Sequence, residues 1–186
     1  MKKGFTLIEI LTAVSLFLVI MTLSMGAIIG IFNANNKVGA QKTTIDNLNF
    51  AVEAMSREMR FGSRYHCETS ATANPPFTSP LNCIDTTVPG RLVSFLANDG
   101  VTQIAYRFNN GSLEKSMDAD QMNPTYTAVT APEINIQNLE FYVLGAGADT
   151  LQPKVIIKIR GKAGRKPSDI SDFSLETMVS QRSLDS

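Results

Sequence analysis

The chain has 186 residues, enough for one ordinary domain and a smaller additional segment. Its 17 basic and 17 acidic side chains cancel, so net charge points to no class of partner. Hydrophobic residues make up 44% of the chain, which suffices for a packed core. The two cysteines come with a single histidine and without metal-ligand spacing, so no cofactor or metal is expected.

The charges are distributed unevenly at the N-terminus. Lys2 and Lys3 open the chain, Glu9 follows, and the 27 residues from Ile10 to Asn36 carry no charge. About 20 apolar residues span a bilayer. The sequence therefore predicts a membrane span or a signal sequence. The lysines favour a cytoplasmic N-terminus, with the chain beyond about Lys37 on the other side.

An ordinary secretory signal does not fit this segment. Such signals have an apolar core of about 7–15 residues closed by a small-residue cleavage site, and neither feature is present. Glu9 lies within the apolar stretch, where a carboxylate is costly and by default indicates function. The alternative is that Glu9 reaches the lipid headgroups from near the helix end.

The segment Met1–Glu9 resembles the class III signal of type IV pilins and type II secretion pseudopilins. A short basic leader, a glycine, a phenylalanine and a glutamate four residues later open an apolar helix. The resemblance implies that a prepilin peptidase cuts between Gly4 and Phe5 and that the new Phe5 amine is methylated. It also implies that Glu9 meets the Phe5 amine of a neighbouring subunit. Pairing a buried carboxylate in this way would fix the stagger of subunits.

The same resemblance implies the partners and the location. The partners would be other pilin or pseudopilin subunits, the prepilin peptidase, an inner-membrane assembly platform and membrane lipids. The chain would cross the cytoplasmic (inner) membrane once, with its N-terminus inside, before entering an extracellular or periplasmic filament. Its role would be structural, and no enzyme activity is expected.

The apolar helix departs from many family members, which carry a proline in its second half. Here Gly26 and Gly30 occupy that region, and the first proline is Pro75. The glycines form a GxxxG pattern typical of close helix packing. They could equally be a local weak point, since glycine costs about 1 kcal/mol in a helix, or be merely tolerated.

The helix is expected to continue beyond the membrane to about Phe61, with Gly62 as its end. A helical stripe of apolar residues is spaced by three and four positions and predicts packing on a sheet. The stripe consists of Ile45, Leu48, Val52, Met55 and Met59. A bend is allowed between Asn33 and Gly39.

Residues 63–90 are rich in Pro, Ser and Thr and predict a loop that contains both cysteines. Exported proteins form disulfides, so Cys67 and Cys83 are expected to be joined. The bridge would close 17 residues and add about 3 kcal/mol. Two free thiols are the alternative.

Strand patterns follow, separated by turn residues. The hairpin turns are Asn98–Gly100 and Asn109–Gly111, residues 116–133 form a long polar loop, and Gly145–Pro153 reverses the chain. The predicted strands are Leu92–Ala97, Val101–Phe108, Ser112–Lys115, Ile134–Leu144 with an irregularity at Gln137–Asn138, a strand with Val155, Ile157 and Ile159 buried, and Phe173–Gln181.

The predicted architecture is α+β and pilin-like: a long N-terminal helix packed on a C-terminal antiparallel sheet. Its parts are a cleaved leader (1–4), a transmembrane and filament-core helix (5–36), its amphipathic continuation (37–62) and a β-rich head (63–186). The segments Ala51–Arg60 and Phe173–Arg182 are loosely similar to J-type minor pseudopilins and minor pilins. A minor subunit is therefore favoured over a major one, and strand order is not predicted.

Other chemistry has little support in the sequence. His66 and Cys67 lie in the predicted loop without an orienting partner, so a catalytic pair is disfavoured. Asp118 and Asp120 open like a calcium loop but lack its glycine and final glutamate, which favours a plain turn.

A cluster of basic residues lies near the C-terminus with no acid among its members. The cluster consists of Lys154, Lys158, Arg160, Lys162, Arg165 and Lys166. The first three share one face of a strand, and Gly161–Pro167 is expected to be a basic loop. This pattern permits binding of DNA or another anion. The favoured alternative is a solvated strand face or an intersubunit ion-pair surface, since no aromatic residue is present for stacking.

Overall fold

The structure is a computed structural model. It describes residues 4–73, 76–77, 79–147, 151–164 and 170–182, and only the backbone of residue 40. Contacts divide the chain into two compact units, Met1–Ala40 and Gln41–Ser186. One long apolar N-terminal helix is followed by antiparallel sheets, which confirms the predicted α+β, pilin-like architecture.

The helix α1 runs from Leu7 to Phe61. It is helical throughout Asn33–Gly39, the segment in which the sequence allowed a bend. It ends where predicted, and the Gly62 N–H donates to the Met59 carbonyl at 3.1 Å. A Cβ at Gly62 would overlap the Phe95 ring. Glycine is needed at this position because the chain enters the sheet there at close range.

The C-terminal part of α1 buries one face against the sheets. Leu48, Val52, Met55 and Met59 are buried as predicted. Ile45 is 41% exposed, so its assignment to the stripe was wrong, and Thr44 is buried instead. A strict seven-residue repeat drifts by about 20° per heptad around a straight helix. Two heptads from Met59 therefore carry Ile45 off the buried face.

The first sheet contains five antiparallel strands in chain order. They are β1 Ser63–Glu68, β2 Leu92–Leu96, β3 Gln103–Asn109, β4 Ser112–Ser116 and β5 Thr127–Ala128. The β3–β4 turn has positive φ at Asn110 (46°) and Gly111 (79°), as a type I′ hairpin requires. Both predicted hairpins are confirmed.

The second sheet contains three antiparallel strands in chain order. They are β6 Ile134–Leu144, β7 Lys154–Ala163 and β8 Ser171–Ser180. The register of β6 shifts between Ile136 and Asn138, where the sequence predicted an irregularity. Strand β7 alternates buried and more exposed residues, also as predicted.

Three loop predictions need correction. Residues 63–68 form β1 rather than loop, and the predicted loop 116–133 contains the two-residue strand β5. The predicted basic loop at Gly161–Pro167 is wrong for its first three residues, because β7 continues through Ala163. Residues 165–169, and residues 148–150 of the predicted Gly145–Pro153 turn, lie outside the described residues.

The segment between β1 and β2 connects the two sheets. Cys67 in β1 forms a disulfide with Cys83, with Cα atoms 5.7 Å apart. Cys83 in turn exchanges two backbone hydrogen bonds with Val143 of β6, at 3.1 and 3.0 Å. Gly90 pairs in the same way with Phe141. A Cβ on Gly90 would overlap the Cys67 sulfur, so the glycine allows the disulfide to lie against β6.

Candidate functional site

The residues with the predicted processing role lie just before α1. Gly4, Phe5 and Thr6 have no regular secondary structure, and all three are exposed. The Phe5 side chain is 84% exposed. The Gly4–Phe5 peptide bond is therefore outside the hydrogen-bonded helix. Residues 1–3 of the predicted leader lie outside the described residues.

Thr6 and Glu9 form a reciprocal cap at the start of α1. The Thr6 N–H and hydroxyl both donate to Glu9 Oε2, at 2.9 and 2.8 Å. The Glu9 N–H donates to Thr6 Oγ1 at 3.4 Å. This is a capping box, in which two backbone donors at a helix start are satisfied together. The cap was not predicted, although its sequence signal, a threonine with a glutamate three residues later, is present.

The cap orients the Glu9 carboxylate. Hydrogen bonds from Thr6 occupy Oε2, while no described residue donates a hydrogen bond to Oε1. A carboxylate offers about four acceptor positions, so Glu9 retains acceptor capacity for a further donor. Its negative charge also lies in the first turn, where the helix dipole favours an anion.

The helix around Glu9 presents apolar side chains in every direction. Every residue from 4 to 39 is exposed, and the range includes large side chains such as Leu16, Phe17 and Ile31 at 58–63% exposure. A helix that is apolar on all sides is stable when buried in lipid or among other helices. By length and composition, α1 is the one helix among the described residues that could cross a membrane.

The hydroxyl groups in this stretch are satisfied within the helix itself. Thr12, Ser15, Thr22 and Ser24 donate to carbonyls three or four residues earlier, at 2.8–3.0 Å. Polar groups satisfied in this way lower the cost of placing the helix in hydrocarbon. Glu9 is the one charge between Gly4 and Asn36. The carboxylate is therefore the polar group in this segment that most needs an external partner.

The two helix glycines are open on all sides. A Cβ placed at Gly26 or Gly30 would meet nothing within 4 Å. Among the described residues, no neighbour outside the helix requires glycine at either position. The three sequence interpretations, namely close packing with a partner helix, local softness and simple tolerance, therefore stay predictions.

The predicted redox and histidine residues lie in the C-terminal unit. The disulfide between Cys67 and Cys83 is present, and both cysteines are buried. His66 is buried in β1, so its placement in the predicted loop was wrong. Its Nδ1–H donates to the Ser79 carbonyl at 2.6 Å, and its Nε2 lies 2.8 Å from Glu68 Oε1. The hydrogen bond to Ser79 holds the segment between Cys67 and Cys83 against β1.

The predicted basic cluster is only partly basic in three dimensions. Lys158 lies 3.6 Å from Glu176, and Lys162 lies 3.9 Å from Asp172, both on β8. Glu140 of β6 is the other cross-strand neighbour of Lys158. The acids that are absent from the sequence run are thus supplied by adjacent strands. Arg165 and Lys166 lie outside the described residues.

Asp118 organises a turn. Hydrogen bonds from the Ser116 hydroxyl and the Thr125 N–H lower the pKa of Asp118 below its ordinary value. The Gln121 N–H donates to the Asp118 carbonyl at 3.0 Å, as in a turn. Among the described residues, no group of three or more His, Cys, Asp and Glu side chains could hold a metal ion.

A contact between the helix and the first sheet was not predicted from the sequence. Glu58 of α1 accepts hydrogen bonds from the Tyr106 hydroxyl at 2.7 Å and from Lys115 Nζ at 2.6 Å. Burial and the adjacent Glu58 carboxylate raise the pKa of Tyr106. Tyr106 and Lys115 lie 48 and 57 positions after Glu58 in the sequence, so no local pattern could reveal this contact.

Comparison with known proteins agrees with the N-terminal geometry. Residues 1–25 match the family described as the prokaryotic N-terminal methylation motif. This motif is the class III signal of type IV pilins and pseudopilins. No curated protein and no solved structure matches the chain. The motif covers the predicted cleavage bond, Phe5, the Thr6–Glu9 cap and most of the apolar helix.

Proposed function

We propose that this chain is a minor subunit of a type IV pilus or of a type II secretion-like pseudopilus. The observation that carries the proposal is the methylation motif over residues 1–25, which leads into a helix whose residues 7–39 are all exposed. Such a helix needs apolar partners outside its own chain. A filament of parallel apolar helices provides them, and so does the membrane before assembly.

Processing is the first proposed step. A membrane-embedded prepilin peptidase cuts between Gly4 and Phe5, and the released Phe5 amine is methylated. Both residues are exposed and precede α1, which supports access to the bond without unwinding the helix. Removal of residues 1–4 also removes Lys2 and Lys3, the charges that hold the N-terminus inside the cell.

Glu9 then acts in assembly. The Phe5 amine of a neighbouring subunit pairs with the carboxylate, whose Oε2 Thr6 already holds. In an apolar environment an unpaired carboxylate or amine is strongly unfavourable, so the pair favours one stagger of subunits over others. Glu9 is a positioning group in this role, and the proposed function is structural rather than enzymatic.

The proposed topology follows from charge and hydropathy. Residues 5–36 form the transmembrane and later filament-core helix, residues 37–62 its amphipathic continuation, and residues 63–186 an extracytoplasmic head. The N-terminus lies inside the inner membrane and the head outside. Lipids, the assembly platform and other subunits are the partners. The long 116–133 segment and the likeness to J-type subunits favour a minor over a major subunit.

DNA or anion binding at a filament tip is the weaker proposal. Lys154, Lys158, Arg160 and Lys162 share one face of β7, which supports it. Against it, Glu176 and Asp172 pair with two of the four cations. Partial neutralisation lowers the number of phosphates that the face can contact. A steep salt dependence of duplex-DNA binding by the full chain would favour this alternative.

The assembly role is tested by Glu9→Ala in the full chain in its own cells, with Ser15→Ala as the control. Ser15 lies in the same apolar segment, and its hydroxyl donates to the Leu11 carbonyl of its own helix. We expect Glu9→Ala to be processed but lost from the sheared filament fraction, whereas Ser15→Ala remains. Normal recovery of Glu9→Ala in filaments would contradict the proposal.

A further inference from the structure

The second sheet ends in a strand edge that differs from the other long edges of the molecule. Strand β8 pairs with β7 over ten residues, from Ser171 to Ser180. Among the described residues, no strand or bridge pairs with the other side of β8. An exposed edge of this length is a template for pairing with another chain.

The other long edges are covered by the chain itself. On β1, the Cys67 N–H donates to the Leu81 carbonyl and the Leu81 N–H donates to the Tyr65 carbonyl, both at 3.1 Å. On β6, Cys83 and Gly90 each exchange a pair of backbone hydrogen bonds. The segment between β1 and β2 thus closes two edges, whereas no described residue pairs with the outer edge of β8.

The register identifies which β8 backbone groups are open. The Gln181 N–H donates to the Pro153 carbonyl at 3.0 Å, so residue 181 faces β7. The β7–β8 register has no shift, and bonding alternates with every residue in an antiparallel pair. The N–H and C=O groups of residues 172, 174, 176, 178 and 180 therefore face away from β7.

The side chains along this edge define the chemistry of a partner. Asp172 and Glu176 lie on the outer face, 3.9 Å from Lys162 and 3.6 Å from Lys158 of β7, and their side chains are still 82% and 62% exposed. Met178 on the same face is 59% exposed. On the inner face, Phe173 and Leu175 pack against the core but are only partly buried. A strand added beside β8 would complete the burial of Phe173 and Leu175 on the inner face. On the outer face its side chains would lie opposite the two acidic residues.

We propose that β8 is the docking edge for an extended segment of a different filament subunit. That segment carries Lys or Arg opposite Asp172 and Glu176 and apolar side chains over Phe173 and Leu175. A second copy of this chain is a poorer match, because its open edge is β8 itself, with the same acids. The inference rests on the proposed filament role and names the kind of partner.

The test places a photo-crosslinking amino acid at Met178 of the full chain in its own cells. Met122, 81% exposed in the 116–133 segment, is the control position. We expect the Met178 probe to form an adduct with an extended, basic segment of another subunit that carries a methylation motif. An adduct with a second copy, or no adduct beyond that of Met122, would overturn the proposal.

Backbone pairing is separated from side-chain contact by Ser174→Pro and Ser174→Ala. Proline removes an outward N–H and leaves the β7 hydrogen bonds intact. We expect Ser174→Pro to reduce the adduct about tenfold, equivalent to about 1.4 kcal/mol, and Ser174→Ala to leave it unchanged. Equal adducts in the two variants would overturn strand pairing.

A neutral pair of substitutions keeps the test valid if the proline variant fails to fold. Asp172→Asn with Glu176→Gln should weaken the adduct and remove its sensitivity to salt. An unchanged adduct in this variant would contradict the proposal that the partner segment is basic.

The N-terminal mass of the chain is measured in the same samples to separate the two proposals. A processed chain that forms no adduct would contradict the β8 docking edge alone. An unprocessed chain would contradict the filament role.

Discussion

The N-terminal and C-terminal stretches of α1 are both helical, but they differ in how much of their surface is buried. From Leu7 to Gly39 every residue is exposed, and from Ile10 to Phe32 apolar side chains lie on all sides of the helix. From Gln41 to Phe61 one face is buried, with Met55 and Met59 completely covered. Burial against a sheet explains the second stretch. No described residue covers the first stretch, so its composition points to lipid or to other subunits.

Removal of the disulfide should have the largest effect on the C-terminal unit. Cys67→Ala with Cys83→Ala should lower its free energy of unfolding by about 3 kcal/mol, because the unfolded chain gains freedom. Urea unfolding of the full chain in detergent, followed by tyrosine fluorescence, measures this change. The α1 stretch from Leu7 to Gly39 should keep its helical signal. If the helical signal of Leu7–Gly39 were lost together with the tyrosine signal of the C-terminal unit, the two stretches would not be independent.

Truncation of a core methionine compares the two stretches directly. Met55→Ala removes a side chain with no exposed surface and should cost about 3 kcal/mol, from lost burial and the cavity left behind. The matched control Leu16→Ala removes a 63% exposed side chain and should leave the unfolding midpoint unchanged. The same urea titration measures both. Equal losses would show that the N-terminal stretch packs within its own chain.

The Glu58 contact should contribute less than the core does. Glu58→Gln removes the ion pair with Lys115 and weakens the bond from the Tyr106 hydroxyl. We expect a loss of about 1 kcal/mol, because these groups are partly exposed. Glu53→Gln is the control, since its Arg57 partner is 3.5 Å away and both side chains are over 70% exposed. A loss as large as that of Met55→Ala would contradict this ranking.

The helix cap should matter only at the first turn. Thr6→Ala removes the side chain that bonds Glu9 and should destabilise that turn by about 1 kcal/mol. Amide exchange of residues 7–10 in detergent measures the change, and the unfolding of the C-terminal unit should not respond. Thr12→Ala, in mid-helix, is the control and should leave exchange at residues 7–10 unchanged.

The smallest predicted effect is acid sensitivity. Hydrogen bonds from the Thr102 hydroxyl and from the Val101 and Thr102 amides lower the pKa of Asp99 below its ordinary 3.8. Neighbouring hydroxyls and amides likewise lower the pKa values of Asp85 and Asp118. A carboxyl group with a lower pKa in the folded state binds its proton more tightly when unfolded. The contribution of such a carboxyl group to the stability of the folded state is therefore complete at pH values above its ordinary pKa. It is lost as the pH falls through the lower pKa of the folded state.

Thermal unfolding between pH 7 and pH 2 measures this effect. We expect the contribution of Asp99 to stay constant down to about pH 4 and to decline below it. Asp99→Asn should flatten that decline. A contribution that is lost already between pH 7 and pH 5 would contradict the assigned cause.

Local patterns predicted most of the fold. The apolar periodicity gave α1, the Asn-Gly and Asp-Gly pairs gave two hairpins, and the broken alternation at Gln137 gave the irregularity in β6. Strand β1 was missed because Tyr65, His66 and Cys67 are all buried, which removes the alternation of a strand with one exposed face. The covered edges were missed because they depend on pairings between residues distant in sequence.

The candidate site divides in the same way. Gly4, Phe5 and Glu9 could be singled out because they lie in one short segment that resembles the class III signal, and the matched motif covers that segment. Their individual roles stay predictions. The neutralisation of Lys158 and Lys162 could not be predicted, because Glu176 and Asp172 become their neighbours only through the β7–β8 register. A charge cluster read from one strand overlooks the charges on adjacent strands.

The intact mass of the membrane-extracted chain tests the central claim most directly. It should be measured from cells with and without the prepilin peptidase. We predict a mass short by Met1–Gly4 and heavier by one methyl group on Phe5 when the peptidase is present, and the full-length mass when it is absent. An uncleaved chain in peptidase-positive cells, or cleavage after the apolar segment, would contradict the filament role.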